Sequence, residues 1–193
     1  MMARELPDFL AQPSVIPETE HNGNVVYLGS IVASTCADTL RSRGITHILS
    51  VCEVAPSFPL QFKYHCVNVL DDEASILLDH FDECSDFIHA GLRDGSVLVH
   101  CRAGVSRSAS VVIAYIMRTK ELPYSQARAI VHAARNAVSP NKSFCQQLQV
   151  YQEMRCCIDL NSETYRAWRA VHCAPANAAA VMAEERPTFS ALS

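Results

Sequence analysis

The stretch from residue 97 to residue 119 constrains the fold of this chain more than any other. Val97-Leu98-Val99 is a short, wholly apolar run that leads into His100 and Cys101. A loop of small residues follows, and 108–119 is a strongly apolar segment with helical spacing. A strand without polar positions is typical of the middle of a parallel sheet that is covered on both faces. The stretch therefore predicts a loop at the carboxyl end of a buried central strand.

The rest of the sequence alternates between patterns typical of strands and of helices. Apolar and β-branched runs predict strands at 25–28, 45–51 and 64–69. Capping residues and three- or four-residue apolar spacing predict helices at 34–43, 76–92, 125–135 and 143–157. This order predicts an α/β fold whose central, mostly parallel sheet is flanked by helices.

Length and composition predict one folded domain. The chain has 193 residues and is 49% hydrophobic, which is enough apolar material for one core. We expect an N-terminal lead-in at 1–20, one folded domain at 21–158 and a largely disordered C-terminal tail at 159–193. No separate substrate-docking domain is expected, and the sequence does not predict the oligomeric state.

Charge and cysteine usage limit the function classes. Sixteen Lys and Arg against twenty Asp and Glu give a net charge of −4, so neither a nucleic acid nor a membrane is an expected partner. No apolar stretch suits a signal peptide or a membrane span, which predicts a cytoplasmic protein with the nucleus as a further compartment. The nine cysteines lack metal-site spacing and are expected to be reduced thiols.

Cys101 and Arg107 are separated by five residues that include Gly104. This spacing alone is a weak signal, but here it lies between a buried strand and a helix. A small-residue loop at a helix N-terminus lets backbone N–H groups converge on an anion, and the same groups stabilise a thiolate. A guanidinium at Arg107 can hold two phosphoryl oxygens. The loop is therefore predicted to bind phosphate beside a nucleophile; the alternative is a structural thiol in an ordinary turn.

The run HCRAGVSRS resembles the signature loop of the protein tyrosine phosphatase superfamily, in particular small, atypical members of its dual-specificity branch. The similarity extends over about residues 22–157 and includes the turn Ser139-Pro140-Asn141. It implies a phosphoprotein substrate carrying phosphotyrosine, phosphoserine or phosphothreonine. It also implies a cysteinyl-phosphate intermediate and no requirement for a cofactor or a metal.

The resemblance also implies roles for individual residues. Cys101 would be the nucleophile and Arg107 would bind phosphate. His100 would orient the loop, or merely fill space beneath it, and Ser108 would ease departure of the thiolate, cap the following helix, or both. The implied substrate-binding residues are those of the loop: Arg102, Ala103, Gly104, Val105, Ser106 and Arg107.

A general acid must protonate the leaving oxygen, and Asp71, Asp72 and Glu73 are the candidates. In the family the acid precedes an aromatic residue of the next helix by a fixed interval, and Phe81 selects Asp71. A solvated loop that only caps the helix is the alternative.

Two further residues carry open alternatives. Asn141 would brace the signature loop or cap a helix. Cys52 would form a disulfide with oxidised Cys101 or pack in the core.

Three rival functions remain open. The same fold can hydrolyse lipid, glycan or RNA 5′-phosphates, because fold does not fix substrate. A noncatalytic phosphate-binding scaffold is less favoured, since Cys101, Arg107 and Asp71 are all present. An oxyanion reductase could use the same loop but would not need Asp71.

Overall fold

Five strands form a single sheet in the computed structural model, which describes residue 10 and residues 12–172. In chain order the strands are β1 Ser14–His21, β2 Asn24–Ser30, β3 Ile45–Ser50, β4 Lys63–Cys66 and β5 Ser96–Cys101. Their order across the sheet is β1-β2-β5-β3-β4, and only the β1–β2 pair is antiparallel. The predicted α/β fold with a mostly parallel sheet is confirmed, and β5 is its middle strand.

Helices separate or follow the strands in the chain. They are α1 Ala37–Ser42, α2 Phe81–Asp94, α3 Arg107–Lys120, α4 Tyr124–Ala134, α5 Lys142–Glu153 and α6 Glu163–His172. The first predicted helix begins later than Ser34, because Val32–Ser34 form a separate 3-10 turn. Within the part of the chain that the structure describes, no helix combines the length and apolarity needed to span a bilayer.

β5 is buried along its whole length. On one face, Leu98 belongs to a cluster with Leu40 of α1 and Ile48 of β3. Val97 and Val99 face the opposite side, since side chains alternate along a strand. There α2 lies so close that a Cβ added to Gly91 would come 2.7 Å from Cγ2 of Val97. Burying each such aliphatic side chain contributes about 1.5–3 kcal/mol, so the apolar run anchors β5 and fixes where the following loop begins.

β1 lies in a segment for which the sequence predicts only a lead-in. Ser14–His21 instead pair with β2, with an irregular register between Ile16 and His21. Thr19 bridges this irregularity, since its Oγ1 donates to the Ile16 carbonyl at 2.6 Å and accepts from Val26 N at 2.8 Å. The strand escapes sequence analysis because it is an edge strand with Pro17 and mostly polar residues.

The chain divides into two compact units, Met1–Ile158 and Asp159–Ser193. The second contains α6, where the Trp168 ring stacks on His172 at 4.7 Å between centroids. Ser162 caps this helix by accepting from Tyr165 N at 3.1 Å. The sequence predicts a largely disordered tail from residue 159, whereas 163–172 are helical. The remainder of the predicted tail, 173–193, and most of the lead-in lie outside the described residues.

Candidate active site

The loop between β5 and α3 requires glycine at residue 104. Gly104 has a φ of +71°, a conformation that side-chain-bearing residues rarely adopt. A Cβ at this position would also come 2.4 Å from the carbonyl oxygen of Gly29 in β2. Strand and loop backbones therefore touch here, and only glycine permits the contact.

The carbonyl oxygens of the loop all accept hydrogen bonds from groups outside it. Because the C=O and N–H of a peptide unit point in opposite directions, this arrangement turns the loop N–H groups inward. The carbonyl of residue 102 accepts from Ile31 N, those of 103 and 104 from the Arg135 guanidinium, that of 105 from Ser139 N and that of 106 from Ser110 N. The result is a concavity of N–H groups at the N-terminus of α3, a geometry that binds anions.

Cys101 ends β5 with its sulfur inside this concavity. The residue is 1% exposed. Its Sγ accepts hydrogen bonds from Gly104 N at 3.3 Å and from Ser108 Oγ at 3.1 Å. Two hydrogen-bond donors, one from the backbone and one from a side chain, therefore point at this sulfur. Ser108, which the resemblance implies to act on the departing thiolate, lies within hydrogen-bonding distance of Cys101.

Arg107 is the first residue of α3 and is almost fully buried. Its Nη1 donates to the Val69 carbonyl at 3.1 Å and to Glu53 Oε2 at 3.0 Å. Its Nε is buried and has no hydrogen-bond partner among the described residues. One edge of the guanidinium is therefore anchored, and a buried donor remains for a bound anion.

Glu53 follows β3 and binds both arginines of the loop. Besides Arg107, it accepts from Arg102 Nε at 2.8 Å. The pKa of Glu53 is lowered from 4.5 to about 2. The largest cause is a hydrogen bond with its own backbone, and the next largest is the bond from Arg102. Glu53 is absent from the residues predicted for the site, although its position gives a signal: β3 is parallel to β5, so both strands end at the same edge of the sheet.

Asp71 is the acidic residue that faces the concavity. Its Oδ1 accepts from Ser106 Oγ at 2.6 Å and from Asn141 Nδ2 at 3.0 Å. Its Oδ2 lies 3.6 Å from Arg107 Nε. With Oδ1 occupied by two donors, Oδ2 is the oxygen that faces Arg107. Asp72 behaves differently, because its Oδ1 caps the backbone N–H groups of residues 74 and 75.

Asn141 has the predicted role as a helix cap, but its side-chain amide contacts Asp71 and Asp72 and not the signature loop. It caps α5, accepting from Phe144 N at 2.9 Å through Oδ1. Its Nδ2 donates to Asp71 in the segment 71–73, which we call the acidic loop. Its backbone N donates to Ser106 Oγ at 3.2 Å. Ser106, predicted to bind substrate, directs its side chain to Asp71 and leaves only its backbone to line the concavity.

His100 is buried beside the loop, with Nδ1 3.5 Å from the Cys101 carbonyl oxygen. Burial lowers the pKa of His100 to about 4, so the ring is neutral at physiological pH. The contact is at the outer limit of a hydrogen bond, and an orienting role stays a prediction.

Cys52 is a buried free thiol whose Sγ lies 3.5 Å from Ser50 Oγ. Its predicted disulfide with Cys101 stays a prediction. Across the described residues, no group of three or more His, Cys, Asp or Glu is placed to hold a metal ion.

The buried cysteine, the loop of inward N–H groups and the opposed carboxyl group all lie within the region that a known family model matches. The family model described as "Dual specificity phosphatase, catalytic domain" matches residues 26–154. The chain belongs to the dual-specificity phosphatase family.

Curated relatives share this phosphatase domain. Dual specificity protein phosphatase 22-A from Danio rerio is 42% identical over 144 residues, which cover 74% of this chain and 66% of the relative. Dual specificity protein phosphatase MPK-4 from Drosophila melanogaster is 38% identical over 167 residues, which cover 84% of this chain and 42% of the relative. The chain therefore spans less than two thirds of the length of these relatives.

Solved structures show the same fold. DUSP15 superimposes with a TM-score of 0.63 and 34% identity, covering 67% of this chain and 87% of that one. The human tyrosine phosphatase-like serine/threonine/tyrosine-interacting protein gives a TM-score of 0.66 and 33% identity, covering 68% of this chain and 93% of that one.

Gln147 of α5 fixes the end of the acidic loop in this phosphatase domain. The residue is fully buried, and its Oε1 accepts from the N–H groups of Leu77 and Leu78 at 2.7 and 2.8 Å. Its Nε2 donates to the Ser75 carbonyl at 2.9 Å. One side chain therefore ties the segment after Asp71 to the helix that carries Asn141 at its cap.

Proposed function

We propose that this domain hydrolyses phosphotyrosine and phosphoserine or phosphothreonine in proteins through a cysteinyl-phosphate intermediate. The observation that carries the proposal is the convergence of three groups on one concavity. These are the Cys101 sulfur with two hydrogen-bond donors, the Arg107 Nε without a hydrogen bond among the described residues, and the Asp71 Oδ2, which forms an ion pair with that nitrogen at 3.6 Å.

In the first step the Cys101 thiolate attacks phosphorus opposite the leaving oxygen. A sulfur–phosphorus bond forms, the phosphorus–oxygen bond to the substrate breaks, and Asp71 gives its proton to the leaving oxygen. The inward N–H groups and Arg107 hold the phosphoryl oxygens as charge shifts in the transition state. The products are the dephosphorylated side chain, the cysteinyl phosphate and an Asp71 carboxylate.

In the second step water replaces sulfur on phosphorus. Asp71 accepts a proton from the attacking water, the sulfur–phosphorus bond breaks and inorganic phosphate leaves. The Ser108 hydroxyl donates to the departing sulfur, as it does to Cys101 Sγ in the structure. The thiolate and the protonated Asp71 are restored for the next cycle.

A protein substrate is favoured over a lipid, glycan or RNA 5′-phosphate by the charge around the concavity. Arg102, the exposed cation of the loop, is paired with Glu53, and Asp71, Asp72 and Glu73 line the opposite loop. A polyanionic substrate would meet these carboxylates. A scaffold without catalysis is disfavoured because the nucleophile, the phosphate-binding arginine and the acid are all present.

The same proposal extends to the partners of the protein and to its compartment. A phosphoprotein partner and a role in signalling are in line with the family. The net charge of −4 disfavours nucleic acid and anionic membrane as partners. We place the protein in the cytoplasm, with the nucleus as a second compartment. No cofactor is proposed.

Hydrolysis of a phosphotyrosine and a phosphothreonine peptide, in reductant and chelator, tests the proposal. The wild type should turn over both, Cys101→Ser neither, and Asp71→Asn should lose the basic limb of the pH profile. Asp72→Asn is the matched control and should behave as wild type, because an amide oxygen can still cap residues 74 and 75. Turnover by Cys101→Ser, or a wild type that binds phosphate and hydrolyses neither peptide, would contradict the proposal.

A further inference from the structure

Arg135 completes the outer hydrogen bonding of the phosphate-binding loop. It follows α4 directly and is 3% exposed. Its Nε donates to the Gly104 carbonyl at 2.8 Å, and its Nη2 to the Ala103 carbonyl at 3.3 Å. The other three loop carbonyls are held by backbone N–H groups. One side chain thus fixes the two peptide units on either side of the strained glycine.

These two peptide units carry N–H groups of the concavity. The Ala103 carbonyl shares a peptide plane with Gly104 N, and the Gly104 carbonyl shares one with Val105 N. Drawing both carbonyls outward turns both N–H groups inward. Gly104 N already lies 3.3 Å from Cys101 Sγ. Arg135 therefore acts on groups that meet the thiolate and a bound phosphate without touching either.

A second set of contacts holds Arg135 from the other side. Its Nη1 lies 3.4 Å from the Gln12 carbonyl oxygen and 3.4 Å from Ser14 Oγ. We call Gln12–Ser14 the strap. Arg43 ties the strap down, donating to the Pro13 carbonyl at 3.2 Å and to Gln12 Oε1 at 2.6 Å. The guanidinium of Arg135 is thus held between the strap and the loop.

The charge of Arg135 adds to this geometry. Burial lowers the pKa of Arg135, and attraction from the Cys101 thiolate opposes that shift. An arginine remains charged even with this loss. A buried cation therefore lies behind the loop that follows Cys101.

We propose that Arg135, held by the strap, is a positioning residue that sets the N–H geometry of the loop for oxyanion binding and for the Cys101 thiolate. The inference rests on the proposed phosphatase function. It extends the working site to residues 12–14, which precede the family match at 26–154.

Two readouts that need no substrate turnover test the proposal. One is the affinity for tungstate, a phosphate-like oxyanion, measured by calorimetry. The other is the rate at which iodoacetamide alkylates Cys101 at pH 6 relative to pH 9. Arg135→Met should weaken tungstate binding roughly 10- to 100-fold, as loss of a supporting residue does at other sites, and should slow alkylation selectively at pH 6. Arg135→Lys should restore alkylation more than affinity, because an ammonium lacks the fork that serves two carbonyls.

Three further variants separate positioning from stability. Arg128→Met, an exposed arginine of α4, should leave both readouts unchanged. Val131→Ala removes buried packing from the same helix while leaving the loop contacts intact, and should lower the melting temperature without weakening tungstate binding. Arg43→Met frees the strap and should cause a smaller loss of affinity than Arg135→Met.

Each result bears on a separate part of the inference. Wild-type tungstate affinity in Arg135→Met or, should that variant not fold, in Arg135→Lys would overturn the proposal, and so would an equal loss in Val131→Ala. Unchanged affinity in Arg43→Met would overturn the role of the strap. Failure of the phosphatase function itself would look different, since the wild type would bind tungstate and hydrolyse no phosphopeptide.

Discussion

Asn141 Nδ2 lies 3.0 Å from Oδ1 of Asp71, although the two residues are 70 positions apart in the chain. The contact joins the cap of α5 to the acidic loop. Together with the bond from Ser106, it leaves Asp71 Oδ2 as the oxygen directed at Arg107. The orientation of the proposed general acid is therefore set by a helix cap on a different element.

Replacing Asn141 should separate capping from orientation of the acid. Asn141→Ser can still cap α5 but cannot reach Asp71, whereas Asn141→Ala loses both contacts and about 0.5–2 kcal/mol of stability. Both variants should lose kcat with peptide substrates, whose leaving groups need a proton, more than with p-nitrophenyl phosphate. In thermal unfolding, only Asn141→Ala should have a clearly lower melting temperature than the wild type. Equal losses of kcat on both kinds of substrate would contradict the role in orienting the acid.

Gly104→Ala should abolish most activity because it strains φ and drives a Cβ into the Gly29 carbonyl. Displacing the loop N–H groups by about 1 Å would cost roughly 100-fold in kcat/KM. Gly44→Ala is the matched control, since Gly44 has a φ of +67° but no atom within 4 Å of an added Cβ. It should lose about 1–2 kcal/mol of stability, the cost of a Cβ in the left-handed region, and keep full activity. Comparable activity losses in the two variants would contradict the account.

Glu53 should stabilise the fold in a pH-dependent way. Its pKa falls from 4.5 to about 2 on folding, so its contribution is fully present above pH 4.5 and is lost as the pH drops toward 2. The difference in melting temperature between wild type and Glu53→Gln should be constant from pH 5 to 7 and shrink at pH 3. Glu73→Gln, in an exposed position, should show no such change. A difference that grows on acidification would contradict the ion pairs with Arg102 and Arg107.

His100 should have a separate signature at higher pH. Burial lowers its pKa from 6.5 to about 4. The unfolded chain therefore binds a proton at His100 at a higher pH than the folded chain does. The free energy of unfolding consequently falls as the pH drops from 6.5 to 4. The free energy of unfolding of the wild type should fall by about 3 kcal/mol more than that of His100→Asn, since each unit of pKa shift corresponds to 1.36 kcal/mol. Denaturant unfolding at pH 7, 5.5 and 4.5 measures it, and parallel curves for the two proteins would show that His100 is not buried as a neutral ring.

Sequence patterns predicted the parts of this structure that depend on local chemistry. The apolar run before Cys101 required a buried strand, and Gly104 required a tight loop before a helix. Both follow from residues close together in the chain. Family spacing from Phe81 also selected Asp71, and the structure does bring that carboxyl to Arg107.

The remaining parts depend on how distant segments meet. Glu53 reaches the loop because β3 lies next to β5, and Arg135 reaches it because the residue after α4 comes behind Gly104. No local pattern marks either residue. β1 was hidden for a related reason, because an edge strand needs few apolar residues and tolerates Pro17.

Trapping the cysteinyl phosphate tests directly whether Cys101 is the nucleophile. The wild type and Ser108→Ala would be mixed with phosphotyrosine or phosphothreonine peptide, quenched in acid within the first turnover, digested and analysed by mass spectrometry. We expect phosphate on the peptide containing Cys101 with both substrates, and more of it in Ser108→Ala than in the wild type. Cys101→Ser should carry none. Turnover of the peptides with no phosphate on Cys101 at any quench time would contradict this role of Cys101.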